Sequence, residues 1–323
     1  MKKSFKLLLA AAFLVTEFFV IALPILTTSA KADGAIQAIT HAGFGGGTDV
    51  TTRMMLLRTR RYLKQDMQLV NKKGGGGAAS MDYMMTLPAD GQHTLTWTTG
   101  HAVSMALGKT KVKFSDMQPL ARGTDDPQLF VVNCKNDIKD AKKFVSAQKS
   151  KSLKYGTTHV GGIDDVSAIA FTKKGKLTDP TIVAYKGVAP IKTNLIKGDI
   201  DVGVLNLGEA VTEIEDGTLC VSVVLASKRM EKLSNVPTAT ELGIPVVLST
   251  VRGFVTRKGV PADRAKQLED AMIKAMEHKY FQSFLTDIGL DATSVVGADE
   301  WGKQMEVMLA EMTAQLKALG YIN

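Results

Sequence analysis

Five short segments place glycines, small hydroxyls and histidines where they can meet an anion. The first is HAGFGGGTD at residues 41–49, directly after a strand-like run. Consecutive glycines let the chain turn tightly and expose its amides. A helix that starts there adds the positive end of its dipole. Gly45, Gly46, Thr48 and Asp49 are the candidates here, and Thr48 or Asp49 is expected to cap the helix. The second segment, TTGH at 98–101, offers Thr99 and His101. The third, GTTHVGG at 156–162, offers Thr157 and Thr158, and the fourth, YKGVAP at 185–190, offers Gly187 and Ala189. The fifth candidate is Asn206, at the end of an apolar run. Each follows a strand pattern, and ligands of open α/β sheets bind beyond the carboxyl ends of strands. A small anion held by N–H and hydroxyl donors is the chemistry these residues support.

Other chemistries find less in the sequence. No glycine run continues into Gly-Lys-Ser/Thr, so a nucleotide P-loop is not expected. No G-x-S-x-G elbow occurs. Asp125-Asp126 and Asp164-Asp165 are adjacent carboxylates, read as loop or helix-capping groups rather than as an acid–base pair. His41, His101 and His159 fall on the candidate loops without the helical spacing of a metal site. A histidine beside a bound anion is the expected role, with no metal and no cofactor. The glycine run at 74–77 is read as a structural opening of a helix. The formal net charge of +8 falls to +5 without residues 1–32, and a modest positive balance suits an anionic partner. No basic stripe is interleaved with aromatics, so nucleic acid is not expected.

The elements that must position these residues alternate. AIQAIT (35–40), MQLVN (67–71) and TLTWT (94–98) read as strands, separated by helical stretches that begin near residues 50 and 78. This order predicts a parallel-rich sheet flanked by helices. The pattern restarts with QLFVVN (128–133), LKYG (153–156), TIVAY (181–185), IDVGVL (200–205) and LCVSVVL (219–225). RGFVT (252–256) follows, and the tail reads as two helices, the second with a methionine stripe that faces a core. Two α/β units without a long linker predict a bilobal α/β protein with a cleft between lobes.

The N-terminus carries Lys2, Lys3 and Lys6, then an apolar run, then Ala30-Lys31-Ala32. This is the pattern of a cleaved signal peptide, residues 1–32, with the cut after Ala32. Glu17 and Pro24 argue against a stable membrane span. Cys134 and Cys220 both sit in strand-like runs. An exported protein can pair them, and two buried free thiols also fit. The free-thiol reading is the expectation.

Six motifs, in order, resemble one family over nearly the whole chain after residue 32. They are GGGTD (45–49), NKKGGGGAAS (71–80), PADGQHTL (88–95), AYKGVAP (184–190), KGDIDVGV (197–204) and LSNVPTATELGIP (233–245). The chain resembles the substrate-binding proteins of tripartite tricarboxylate transporters, the Bug family of periplasmic receptors. The resemblance implies a Venus-flytrap fold, with 33–124 plus 247–323 in the first lobe and 125–246 in the second. It implies a carboxylate ligand, often a di- or tricarboxylate, handed to a large and a small membrane subunit by a periplasmic monomer. A role in presenting the ligand to a signalling partner is the alternative, and a cleft enzyme a lesser one. It also implies that the eleven candidates named above hold the ligand.

Overall fold

The computed structural model describes residues 34–158, 160–318 and 320–322. The expected leader and His159 lie outside the described residues. The chain begins with β1 (Ile36–Thr40), α1 (Gly47–Leu63), β2 (Met67–Asn71), α2 (Ala78–Met85), β3 (His93–Thr98) and α3 (Thr99–Ala106). A long strand, β4 (Met117–Pro127), then runs almost directly into β5 (Leu129–Asn133). There follow α4 (Ala141–Ser150), β6 (Lys154–Thr157), α5 (Ile163–Lys174), β7 (Thr181–Ala184), α6 (Val188–Lys197), β8 (Val202–Leu205), α7 (Leu207–Glu215) and β9 (Leu219–Val224). The chain returns through β10 (Ser249–Arg257) and ends with α8 (Ala262–Glu277), α9 (Lys279–Asp287), β11 (Val296–Gly297) and α10 (Ala298–Ala318).

Two sheets result, in the orders β11-β4-β10-β3-β1-β2 and β7-β6-β8-β5-β9. Both are mixed. β1 pairs in parallel with β2 and β3, and β6 with β7 and β8, as β-α-β units require. The remaining pairs are antiparallel. The antiparallel halves arise because β4 and β10 carry the chain into and out of the second sheet side by side, paired from Ser249 with Pro127 to Arg257 with Met117.

Apolar alternation explains the core. Leu95 and Trp97 from the first sheet share one buried cluster with Phe130, Tyr155 and Val223 from the second. Helix α10 adds its methionine stripe, Met305, Met308 and Met312, to the same cluster. Trp301 packs directly on Gly253, where any side chain would meet the indole ring at 2.3 Å.

The cysteine expectation is corrected. Cys134 and Cys220 form a disulfide with their Cα atoms 5.0 Å apart. Val132 pairs with Cys220 across β5 and β9, and the Cys134 N–H donates to the Thr218 carbonyl just beyond. The two strands bring both residues within bridging reach. The tail is corrected too, since among the described residues it holds three α-helices rather than two.

Candidate functional site

A cavity of about 780 Å³ opens at the carboxyl ends of β1, β6, β7 and β8. The first turns of α1, α3, α5, α6 and α7 all line it. Each of those helices carries unpaired N–H groups and the positive end of its dipole at that turn. Five such ends around one cavity make a donor-rich site for an anion.

Seven of the eleven candidates line this cavity: Gly45, Gly46, Thr48, Thr158, Gly187, Ala189 and Asn206. Gly46 occupies the N-cap of α1 in extended conformation, and Gly45 turns the loop with φ of 75°. Capping therefore differs from expectation. Thr48 and Asp49 lie inside the helix, and the Asp49 carboxylate folds back to accept from the Gly45 N–H at 3.0 Å and from Arg53 Nε at 2.9 Å. Gly187, with φ of 109°, sits at the N-cap of α6. Thr158 donates its N–H and hydroxyl to Asp164 Oδ2 at 2.9 and 2.6 Å, which ties the loop to the first turn of α5.

Four candidates stand behind the wall. Asp49 is buried beneath the first loop. Thr99 donates to the Ser249 carbonyl and accepts from the Val251 N–H, stapling α3 to β10. Thr157 is buried at the end of β6, its hydroxyl without a hydrogen-bond partner among the described residues. His101 is fully buried. Its Nδ1 accepts from the Thr98 N–H at 3.0 Å, which leaves the proton on Nε2, 3.0 Å from the Ser80 hydroxyl. Burial, followed by the nearby His41 ring, holds its pKa well below the usual imidazole range. It is a neutral capping residue of α3, not a charged contact for an anion. His41 does line the cavity, with its ring 4.4 Å from that of His101.

The sequence reading missed the floor of the site. Arg252, on β10, is 3% exposed and lines the cavity. Its Nη1 donates to Asp126 Oδ2 at 3.0 Å, its Nη2 to Asn206 Oδ1 at 3.1 Å, and its Nε to Thr48 Oγ1 at 3.3 Å. One guanidinium thus joins α1, β4 and α7. Gly47 makes room for it, since a Cβ there would lie 2.6 Å from Nη2. Asp126 is accordingly a buried ion-pair partner within β4, not a loop or capping group. Burial nevertheless outweighs Arg252 and lifts the Asp126 carboxyl to about 6. Glu209, whose Oε2 accepts from the Asn206 N–H, is lifted to about 7, chiefly by the same loss of solvent. The only signal for Arg252 in the sequence was the charge itself, at the start of the strand-like run RGFVT.

A larger cavity of about 1020 Å³ lies elsewhere, against the loop 225–232 and the side of α10. Its buried arginine, Arg122, already donates to the Ser294 and Thr293 carbonyls and to Gln304. Apart from Thr99, it meets no first turn of an α-helix. We therefore place the candidate site in the smaller cavity. Among the described residues, no group of three or more metal-binding side chains is assembled, and no helix is long and apolar enough to cross a membrane.

Comparison with known proteins gives the family and the fold. The family profile described as "Tripartite tricarboxylate transporter family receptor" matches residues 51–319. The protein BugT of Bordetella pertussis is 25% identical over 219 residues, 65% of this chain and 66% of that one. A TctC solute-binding protein from Polaromonas superposes with a TM-score of 0.74 at 24% identity, covering 89% of this chain and 99% of its own. MatC from Rhodopseudomonas palustris, with bound malate, superposes with a TM-score of 0.77 at 22% identity, covering 87% and 98%. At these identities the two superpositions carry the fold alone.

Proposed function

We propose, from the premise that this chain belongs to the tripartite tricarboxylate transporter receptor family, that it captures a small carboxylate in the 780 Å³ cavity and delivers it to a membrane transporter. The family is one of periplasmic solute-binding receptors rather than enzymes. Di- and tricarboxylates are the first ligands to consider, as for the malate held by MatC. Export with cleavage after Ala32, a monomeric receptor, and large and small membrane subunits as partners complete the reading.

The observation that carries it is the convergence of five helix N-termini on one cavity, with glycines and hydroxyls at the turns. Lobes of 33–124 plus 247–323 and 125–246 are part of the proposal. Sheet membership supports them, since β1 to β4, β10 and β11 share one sheet and β5 to β9 the other. A carboxylate seated between them would draw on donors from both.

The test is a thermal-shift and calorimetry screen of the chain from Asp33 onward against mono-, di- and tricarboxylates. A ligand at a hundred times its Kd adds about 2.7 kcal/mol of stability. For a protein of this size that is a rise on the order of 5 °C. A saturable rise with one-to-one stoichiometry is expected. Silence across the panel, with no carboxylate co-purifying by mass spectrometry, would remove the receptor reading.

A further inference from the structure

The five helix ends at the cavity are not electrically equal. The first turn of α1 carries Asp49, that of α5 carries Asp164 and Asp165, and that of α7 carries Glu209. Those carboxylates already answer the positive ends of their own helices. Helices α3 and α6 have no acidic residue in their first turns; at α3 the His101 ring already engages the Thr98 N–H and hydroxyl, whereas the N-cap of α6, Gly187, makes no side-chain cap. Lys186 stands just before it, exposed, on the cavity wall, and without an ion pair or side-chain hydrogen bond among the described residues. The other lysine of the wall, Lys192, is engaged by Glu213 at 2.7 Å. Of the two starts without a carboxylate, that of α6 also has an unengaged lysine beside it among the described residues, so the positive pole is the start of α6 with Lys186.

The opposite pole is acidic. Arg252 is the one cation of the floor among the described residues, and Asp126, Asp164 and Glu209 line the same cavity. Arg252 occupies only Oδ2 of Asp126. Asp126 Oδ1 is buried and has no hydrogen-bond partner among the described residues. Such an atom calls for a donor. A second carboxylate placed there would face three acidic side chains and one guanidinium already in use. An ammonium would satisfy the orphan oxygen and redress the local charge.

We propose that this receptor selects a carboxylate that also carries an ammonium group, with the carboxylate at the start of α6 beside Lys186 and the ammonium at Asp126 Oδ1. The proposal rests on the receptor reading above and narrows its ligand class to amino and ω-amino acids. Asp126 is the specificity-determining side chain, and Lys186 provides the general attraction for the anion.

The experiment is calorimetry with matched pairs of four to six carbons that differ in the ammonium group. Examples are glutamate against glutarate and 5-aminopentanoate against pentanoate. Within at least one chain length, the ammonium-bearing member should bind tenfold or more tightly than its partner. Asp126→Asn should erase that preference, and Lys186→Met should weaken both members alike. If the ammonium-free member binds as tightly at every length, the bipolar site is wrong while the receptor reading stands. If neither member of any pair binds, and di- and tricarboxylates also fail, both fall together. The wild-type comparison decides the matter even if Asp126→Asn does not fold.

Discussion

At the scale of single residues, the site is governed by Asp126 and Arg252. They pair at 3.0 Å with 4% and 3% of their side chains exposed. In water such a pair is worth little; here neither ion can recover its hydration if the other is lost. The carboxyl at about 6 shows which effect wins, because it lies above the ordinary value despite the guanidinium. Asp125 on the same strand adds to the rise. Glu209 from α7 is itself lifted in part by Asp126 and Asp164. The sign of the pH effect follows. Between about pH 4 and 6 the folded chain keeps a proton on Asp126 that the unfolded chain releases. Stability from this group is therefore complete below pH 4 and lost as pH rises toward 6. Asp126→Asn removes the titration, so the variant should gain on the wild type by roughly 2–3 kcal/mol across that window. Urea midpoints of both proteins at pH 4, 5, 6 and 7 would measure the gain. A gap that is flat with pH, or that closes, would mean Arg252 dominates burial. The glycine and hydroxyl loops were legible in the sequence because their signals are local. Arg252 was not, because its partners Asp126, Asn206 and Thr48 lie 126, 46 and 204 residues away.

At the scale of elements, the same division holds. Strands β1 and β2 were readable from apolar runs bounded by turns. Strand β4 was not, since Pro119, Gly123, Asp125, Asp126 and Pro127 all argue against a strand. Its long pairing with β10 overrides that local preference. Helices α3 and α7 were missed because they span only eight and nine residues and follow strands without a break. The glycine run before α2 proved structural, and α3 explains why. Gly77 has φ of 107°, and a Cβ there would lie 2.7 Å from the His101 ring. His101 in turn caps α3 through the Thr98 N–H. Gly77→Ala would combine a strained backbone with a clash against a buried ring. It should cost about 2–4 kcal/mol. Guanidine unfolding would report the loss, while affinity measured well below the melting temperature should stay near the wild-type value. A variant as stable as wild type would show that His101 can leave its place.

At the scale of the whole molecule, the repeated strand–helix order foretold two α/β units, and the restart near residue 128 matches the start of the second sheet at Leu129. Antiparallel halves could not be foreseen, because they depend on β4 and β10 meeting across more than a hundred residues. The disulfide belongs to this scale too. Cys134 and Cys220 are 86 residues apart, and the closed loop contains α4, β6, α5, β7, α6, β8 and α7. Thr158, Gly187, Ala189 and Asn206 all lie inside it. The bridge therefore restrains, in the unfolded chain, the segment that supplies the second side of the site. For a loop of this length the entropic effect is on the order of 4–5 kcal/mol, and measured bridges commonly give about 2–4 kcal/mol. Replacing both cysteines by serine should lower stability by about 2–4 kcal/mol in denaturant. It should also weaken ligand binding, because the first turns of α5, α6 and α7 would be held less firmly. A reductant separates the bridge from the side chains: it should shift the wild-type midpoint toward that of the double variant and leave the variant unmoved. If the reductant moves both proteins equally, or neither, the bridge does not contribute to the stability of the fold.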